Sequence, residues 1–410
     1  MKKRIFITAG YNTISLGTGR KEFHPKKKRH GIEEYVKEAG SATLEMIGGA
    51  KNVDETVISN FNAAQYNNQG NLPGYAPFID VDLKYKPSTR VEGACGSGGM
   101  AVATGIKFLL AEESDVVLTV GFEVQNTVKA VYGADYLATA GWWHDRKDGH
   151  AHFFPGQFSD RAGKYYEKYG KEYTRNGMKQ WYVNAINNAR LDETAQEFQN
   201  AELNLHETAS IEPNGKFFVD NLTVLDCSKV SDAASALAIM SEDGLKRCDI
   251  ELKDTVEIIS FAQSEDDITT QPEDPTRLLT TEFAVKLALK RAGITKDQIG
   301  TVEAHDCFSI AGIMATEAIG LAEHGKGPEY VANGNTTHDS KVPFNTTGGL
   351  IGWGHPVGAT GVHQAVTIWQ QLTGKAGVAQ IKLNPERPYG MTINMGGDDK
   401  TVTCIIYKKP

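Results

Sequence analysis

Cysteine is scarce in this chain: five among 410 residues, at 95, 227, 248, 307 and 404, with no CxxC pair and no metal-ligand spacing. That argues against a disulfide framework and against a zinc site. Basic residues are outnumbered, 43 Lys and Arg against 51 Asp and Glu, giving a net charge of −8. A field of that sign does not suit a nucleic-acid partner. The short basic run KKKR at 26–29, beside Pro25, reads as a solvated loop. Missing too is any apolar run long enough to cross a bilayer. The opening MKKRIFITAG has too short an apolar stretch for a signal-peptide core and reads as a first β-strand. The terminal IIYKKP carries no peroxisomal address. These absences together point to a reduced, soluble, cytoplasmic protein.

What is present is an alternation of strand-like and helix-like segments, the mark of an α/β protein with two or three packing units. DVVLTVGFEV (115–124) is almost continuously apolar, as a strand buried on both faces requires. SGGMAVATGIKFLLAEE (97–113) spaces Met100, Ala103, Ile106, Phe108 and Leu110 as a helix does. TEFAVKLALKRAGI (281–294) is a second helix with a stop at Gly293, and IGTVEAHD (299–306) a further strand. VEGACGSGGMAVATGIKFLLAE (91–112) and VEAHDCFSIAGIMATEAIGLAE (302–323) share their first and last pairs of residues, and in both a strand runs through a cysteine into an apolar helix. This suggests two similar halves. Residues 126–221 differ in composition, with histidines at 144, 150 and 152, many aromatics between 141 and 170, and what read as surface helices and loops thereafter. An insertion of this length usually carries function. The irregular histidine spacing does not suggest a metal.

Three segments have the residue types for chemistry. Cys95 sits in ACGSGG, before an apolar helix. It is either a structural thiol or a nucleophile whose thiolate the helix N-terminus would favour. His355 lies in the glycine-rich NTTGGLIGWGHPVGATGVHQ (345–364), as a satisfied loop histidine or as a base. His305, Asp306 and Cys307 follow one another at the end of a strand, where a thiol is by default a small buried hydrophobe. NMGGDD (394–399) adds a glycine pair, and its Asp398 and Asp399 read as a solvated turn.

In this order the segments resemble the thiolase superfamily. ACGSGG matches the family's nucleophile motif, GHPVG (354–358) its GHP-x-G motif and NMGG its C-terminal glycine motif, while LDCSKVSDAASALAIMSEDG (225–244) is similar to the return from the family's loop domain. Where most thiolases carry a second cysteine this chain has Asn394, and in place of Asn-Glu-Ala-Phe it has HDCF at 305–308. That pattern is similar to sterol-carrier-protein-type and archaeal-type thiolases, among whose relatives is the thiolase subunit of benzoylsuccinyl-CoA thiolase.

The resemblance implies a thiolase fold of two layered α/β halves, each with a mixed five-stranded sheet. Residues 1–125 and 222–255 would form the first half, 126–221 an inserted loop domain and 256–410 the second half. It implies an acyl-CoA C-acyltransferase that cleaves 3-oxoacyl-CoA or condenses acyl-CoAs, in fatty or aromatic acid degradation. Cys95 would be the nucleophile, His355 its base and Cys307 the acid/base relocated from the C-terminal motif. His305, with His355, would form one oxyanion hole and the backbone N–H groups of Cys95 and Gly396 the other. Asp306 would orient a neighbour or take part in catalysis, and Cys227, Cys248 and Cys404 would be structural. Coenzyme A would be a substrate, with no bound cofactor and no metal. A homodimer or larger assembly is implied, with a small zinc-ribbon/OB-fold protein as a possible partner and neither nucleic acid nor membrane. The alternatives are a thiolase-like acyltransferase on a non-CoA acceptor and a non-catalytic subunit.

Overall fold

The apolar run at 115–124 becomes a strand in which every residue is buried, and the rest of the architecture is arranged around strands of this kind. A computed structural model of the protein describes residues 3–148 and 152–410. Its strands are β1 (Ile5–Asn12), β2 (Glu55–Ser59), β3 (Ser88–Val91), β4 (Val116–Glu123), β5 (Ala233–Ser241), β6 (Val256–Glu265), β7 (Ile299–Glu303), β8 (Tyr389–Gly396) and β9 (Thr401–Lys408). They form one mixed sheet in the order β3-β2-β4-β5-β1-β6-β9-β8-β7. β2 runs parallel to β3 and β4, and β7 parallel to β8; the inner pairings are antiparallel. The two strands that lead into the cysteines of the sequence repeat, β3 and β7, are the two outermost strands.

The seam between the halves, β1 against β6, is only two residue pairs long, Phe6 with Glu257 and Ile7 with Val256. The first half supplies five strands, as expected, but the second supplies four. Its fifth place is reduced to a single parallel bridge, Val302 with Phe344. Pro343 has no N–H to give a ladder and Asn345 is left-handed at φ 48°, so the pairing cannot extend.

The helices of nine residues or more are α1 (Ile32–Glu45), α2 (Ser97–Leu110), α3 (Ala130–Ala138), α4 (Phe153–Tyr169), α5 (Lys171–Ala189), α6 (Leu279–Ala292), α7 (Ser309–Ala318) and α8 (Thr360–Thr373). α2 and α8 form a central layer that shares one core with strands of both halves, including Val57, Val117, Ile239, Val256 and Ile405. α1 covers the other face of the first half, and α4 to α7 that of the second. The central position explains why α2 is buried on more sides than its spacing suggested: Ala101, Val102, Ile106 and Leu109 are enclosed. α2 and α8 touch backbone to backbone near their first turns. A Cβ on Gly98 would lie 2.5 Å from the nitrogen of Gly361, and one on Gly361 would lie 2.1 Å from the nitrogen of Gly99. Only glycine permits that approach.

Two expectations are corrected. The polar-looking stretch around WYVNAINNARL is not a surface helix: α5 is largely buried, with Trp181 packed on Gly312 and Gly177 on Pro328. Its two buried asparagines have partners inside, Asn184 donating to Thr336 Oγ1 and Asn188 to the carbonyls of Phe344 and Asn345. Nor are Asp398 and Asp399 a solvated turn. Asp398 pairs with buried Arg161, and Asp399 caps α6 by accepting the N–H groups of Thr280 (2.9 Å) and Thr281 (3.1 Å) and the Thr281 hydroxyl (2.6 Å). Asp399→Ala should therefore lower stability by about 1–2 kcal/mol, the usual cost of losing an N-cap. Urea denaturation would measure it, and an unchanged midpoint would show that the cap does not hold α6.

Candidate active site

Cys95 stands in the turn between β3 and α2. Ala94 before it has φ 52°, a left-handed conformation costly for a residue with a Cβ. The turn is held by the Ala94 N–H donating to Glu92 Oε1 (2.6 Å) and the Ser97 hydroxyl donating to the Ala94 carbonyl (2.5 Å). Phe61, Ala94, Ala140 and Val357 form a small apolar cluster against which Cys95, Leu137 and Phe154 pack, so residues of the aromatic insertion share this cluster with the Cys95 turn.

His355 enters from the loop before α8 and is buried. Its Nδ1 lies 2.7 Å from Thr360 Oγ1, and that hydroxyl can donate to the Pro356 carbonyl at 3.2 Å. With the hydroxyl hydrogen on that carbonyl, Nδ1–H donates and Nε2 keeps a lone pair. Nε2 is buried and has no hydrogen-bond partner. The backbone is pinned as well: the His355 N–H donates to Ser231 Oγ and its carbonyl accepts from Gln125 Nε2. His305, in the loop between β7 and α7, stands edge-on to His355 with ring centroids 5.2 Å apart. Cys95 Sγ and one nitrogen from each imidazole lie within 4.8 Å of one another.

Cys307 is buried beside this trio, its carbonyl accepting from the Ser228 N–H. Gly396, at the end of β8, lies against the Cys95 turn: a Cβ there would meet the Gly93 carbonyl at 2.2 Å and the Gly96 nitrogen at 2.8 Å. All five residues singled out in the sequence thus gather at one place. His144 and His152 belong to no metal-ligand grouping among the described residues, and His150 lies outside them.

Two family models match the chain, a thiolase N-terminal domain over residues 17–243 and a thiolase C-terminal domain-like model over 262–409. The chain belongs to the thiolase family. It is similar to an acetyl-CoA acetyltransferase of Methanothermobacter thermautotrophicus, at 32% identity over 92% of this chain and 94% of that one. It is also similar to the benzoylsuccinyl-CoA thiolase subunit BbsB of Thauera aromatica, at 25% identity over 87% and 89%. Among solved structures it shares its fold with an Ltp2-ChsH2(DUF35) aldolase, at TM-score 0.75 and 18% identity over 99% and 98% of the two chains.

Burial sets the charge states in this thiolase. It pushes the Cys95 thiol up to about 12, with the charge of Glu123 adding to the rise. The expected thiolate at a helix N-terminus is therefore not the resting form, because desolvation outweighs the backbone N–H that favours it. Burial drives His355 down to about 3 and His305 well below the usual imidazole range. Cys307 is held well above the ordinary thiol value, by burial first and then by Cys95. The resting trio is a neutral thiol beside two neutral imidazoles.

Sequence reading did not single out Thr360 or Glu123. Thr360, only five residues after His355, holds its Nδ1. Glu123 accepts N–H groups from Phe61, Asn62 and Gly358 and an amide hydrogen from Asn60, tying β4 to the GHPVG loop. Asp306, for which the sequence left orientation and catalysis both open, accepts from Trp181 Nε1 (2.9 Å) and the Leu350 N–H (2.7 Å). No spacing rule would find the partners of Glu123 and Asp306, which lie far apart in the chain.

Glu303 closes β7 and accepts the N–H and hydroxyl of Thr346. Burial raises it from 4.5 to about 8. The folded carboxyl holds its proton more tightly than the unfolded one, so its contribution to stability is intact below the unfolded value and is lost as pH rises towards 8. Glu303→Gln keeps the acceptor oxygen and removes the titration. Its melting temperature should gain on that of the unmodified chain between pH 5 and pH 8, by more than about 2 °C. Parallel pH curves would show that Glu303 does not titrate in that range.

Proposed function

We propose that this chain is a thiolase-type C-acyltransferase acting on CoA thioesters through an acyl-enzyme on Cys95. The observation that carries the reading is His355, grouped through one ring nitrogen with the Cys95 sulfur, its Nδ1 tied to Thr360 and its Nε2 buried and unpartnered. A base wired in this way accepts the thiol proton as the sulfur attacks.

In cleavage, Cys95 sulfur bonds to the 3-oxo carbon of a 3-oxoacyl-CoA as its proton passes to His355. The oxyanion formed on the 3-oxo oxygen is held by the N–H groups of Cys95 and Gly396. The C2–C3 bond then breaks, its electron pair passes into the thioester enolate, whose oxygen is stabilised by His305 with the imidazolium of His355, and the Cys307 thiol gives its proton to C2. CoA attacks the acyl-enzyme thioester, its thiol proton returning to Cys307, while the same N–H groups of Cys95 and Gly396 hold the oxyanion that forms again on the acyl oxygen. His355 gives its proton back to the departing Cys95 sulfur. Condensation is the reverse. Leu137, Ala140 and Phe154 belong to the apolar cluster on which Cys95 packs, which supports an acyl group bound on the side of the inserted loop domain, 126–221.

We read the assembly as a homodimer through the edge of β3, where Phe78, Val81 and Tyr85 are exposed apolar residues on the approach to the strand. A relative named as a subunit and a fold neighbour titled Ltp2-ChsH2(DUF35) support a second protein joining it. Light scattering of the purified chain at micromolar concentration should give twice the mass of one chain; a monomer would overturn the dimer.

The chemical test separates the two thiols. Cys95→Ala should abolish CoA-dependent cleavage and leave no acyl adduct by mass spectrometry. Cys307→Ala should still acylate from an activated donor but lose ~10²–10⁴-fold in the carbon–carbon step. It should also lose exchange of acetyl-CoA α-protons in heavy water. Turnover by Cys95→Ala, or wild-type exchange by Cys307→Ala, would overturn the respective assignment.

A further inference from the structure

Asn394 occupies the place where most thiolases carry a second reactive cysteine, and it has no proton to transfer. Its surroundings nevertheless fix it completely. The Gly99 N–H can only donate, and it does so to Asn394 Oδ1 at 2.8 Å. The amide is therefore oriented, with its NH₂ group on the other side. There it has two neighbours: the Cys95 carbonyl at 3.1 Å and His305 Nδ1 at 3.2 Å. Two hydrogens meet two acceptors, so Nδ1 of His305 has to be the unprotonated nitrogen. A neutral imidazole with a bare Nδ1 carries its hydrogen on Nε2.

The opposite wiring holds for the neighbouring ring. Thr360 makes His355 the Nδ1–H tautomer with a free Nε2 lone pair. Two histidines of the same buried trio are thus set as opposites, one with a lone pair on Nε2 and one with a hydrogen there. A donor is what the carbonyl oxygen of a bound thioester needs as charge builds on it.

We propose that Asn394 is a positioning residue that holds His305 as the Nε2–H tautomer, so that this nitrogen donates to the oxyanion of the substrate. The proposal rests on the acyl-enzyme reading above. The role extends to the nucleophile, because the same amide anchors the Cys95 carbonyl and so sets the distance between the thiol's peptide and the His305 ring. Asn394→Asp is the discriminating substitution. It keeps an oxygen for the Gly99 N–H and puts an acceptor where the NH₂ group stood, which calls for a hydrogen on His305 Nδ1 and takes it from Nε2.

The test begins on the unmodified protein, labelled with ¹⁵N-histidine and compared with His305→Gln to identify the signals of residue 305. Long-range ¹H–¹⁵N spectra should give the Nε2–H pattern for His305. In Asn394→Asp the pattern should change to Nδ1–H or to the doubly protonated ring. kcat should fall ~10²–10³-fold, the usual cost of one oxyanion donor, with KM little changed. Asn394→Ala, which leaves Nδ1 unassigned, should fall between the two. An Nδ1–H pattern in the unmodified protein would overturn the proposal even if every variant failed to fold, as would an Asn394→Asp enzyme with wild-type kcat. Neither outcome touches the acyl-enzyme reading, which fails separately if Cys95→Ala turns over.

Discussion

The reaction centre depends on the meeting of two helices at their first turns. α2 follows Cys95 and α8 follows the His355 loop, and they can bring these residues together only because Gly98 and Gly361 let the backbones touch. A methyl group at either position would have to displace main chain, not a mobile side chain, and the two loops would part by the width of that shift. The glycine density that looks like flexibility in the sequence is here a condition for rigidity. Dense packing on both sides of the contact leaves little room to relax.

The closeness comes with dryness, and dryness sets the chemistry. In water a cysteine beside a histidine would share charge; in this enclosure neither partner ionises at rest, and the favoured pair is neutral. Orientation then replaces charge as the means of activation. Each imidazole has one nitrogen committed to a fixed neighbour, Thr360 in one case and Asn394 in the other, so the remaining nitrogen has a defined function before substrate arrives. Such preorganisation removes reorganisation from the reaction step itself.

Much of this was legible in the amino-acid order. The continuous apolar run of β4, the helix stop at Gly293 and the paired strand–cysteine–helix segments each reported local physics, and each appears where that physics puts it. Cys95, His305, Cys307, His355 and Gly396 could be singled out because each lies in a short motif, and the fold brings them together. What stayed hidden depends on partners distant in sequence. α5 looked solvated because its asparagines are polar, yet their partners at 336, 344 and 345 allow burial. Asp399 looked like a turn because nothing nearby shows that it caps a helix starting at Leu279. The missing fifth strand of the second half was signalled by Pro343, whose effect on a ladder is a local rule that could have been applied.

The narrow seam and the crossed clamps also bear on the order in which the protein is made. Glu123 from the first half holds Gly358 of the second, and Asn394 is synthesised 299 residues after the Cys95 peptide it anchors. At ~5–20 residues per second, that is on the order of 15–60 s of translation. Throughout that interval the nascent first half holds Cys95 without His305, His355 or Asn394 beside it, and without the burial that raises its thiol in the finished protein. The neutral, enclosed form of Cys95 is therefore a property of the completed chain and not of the half that carries it.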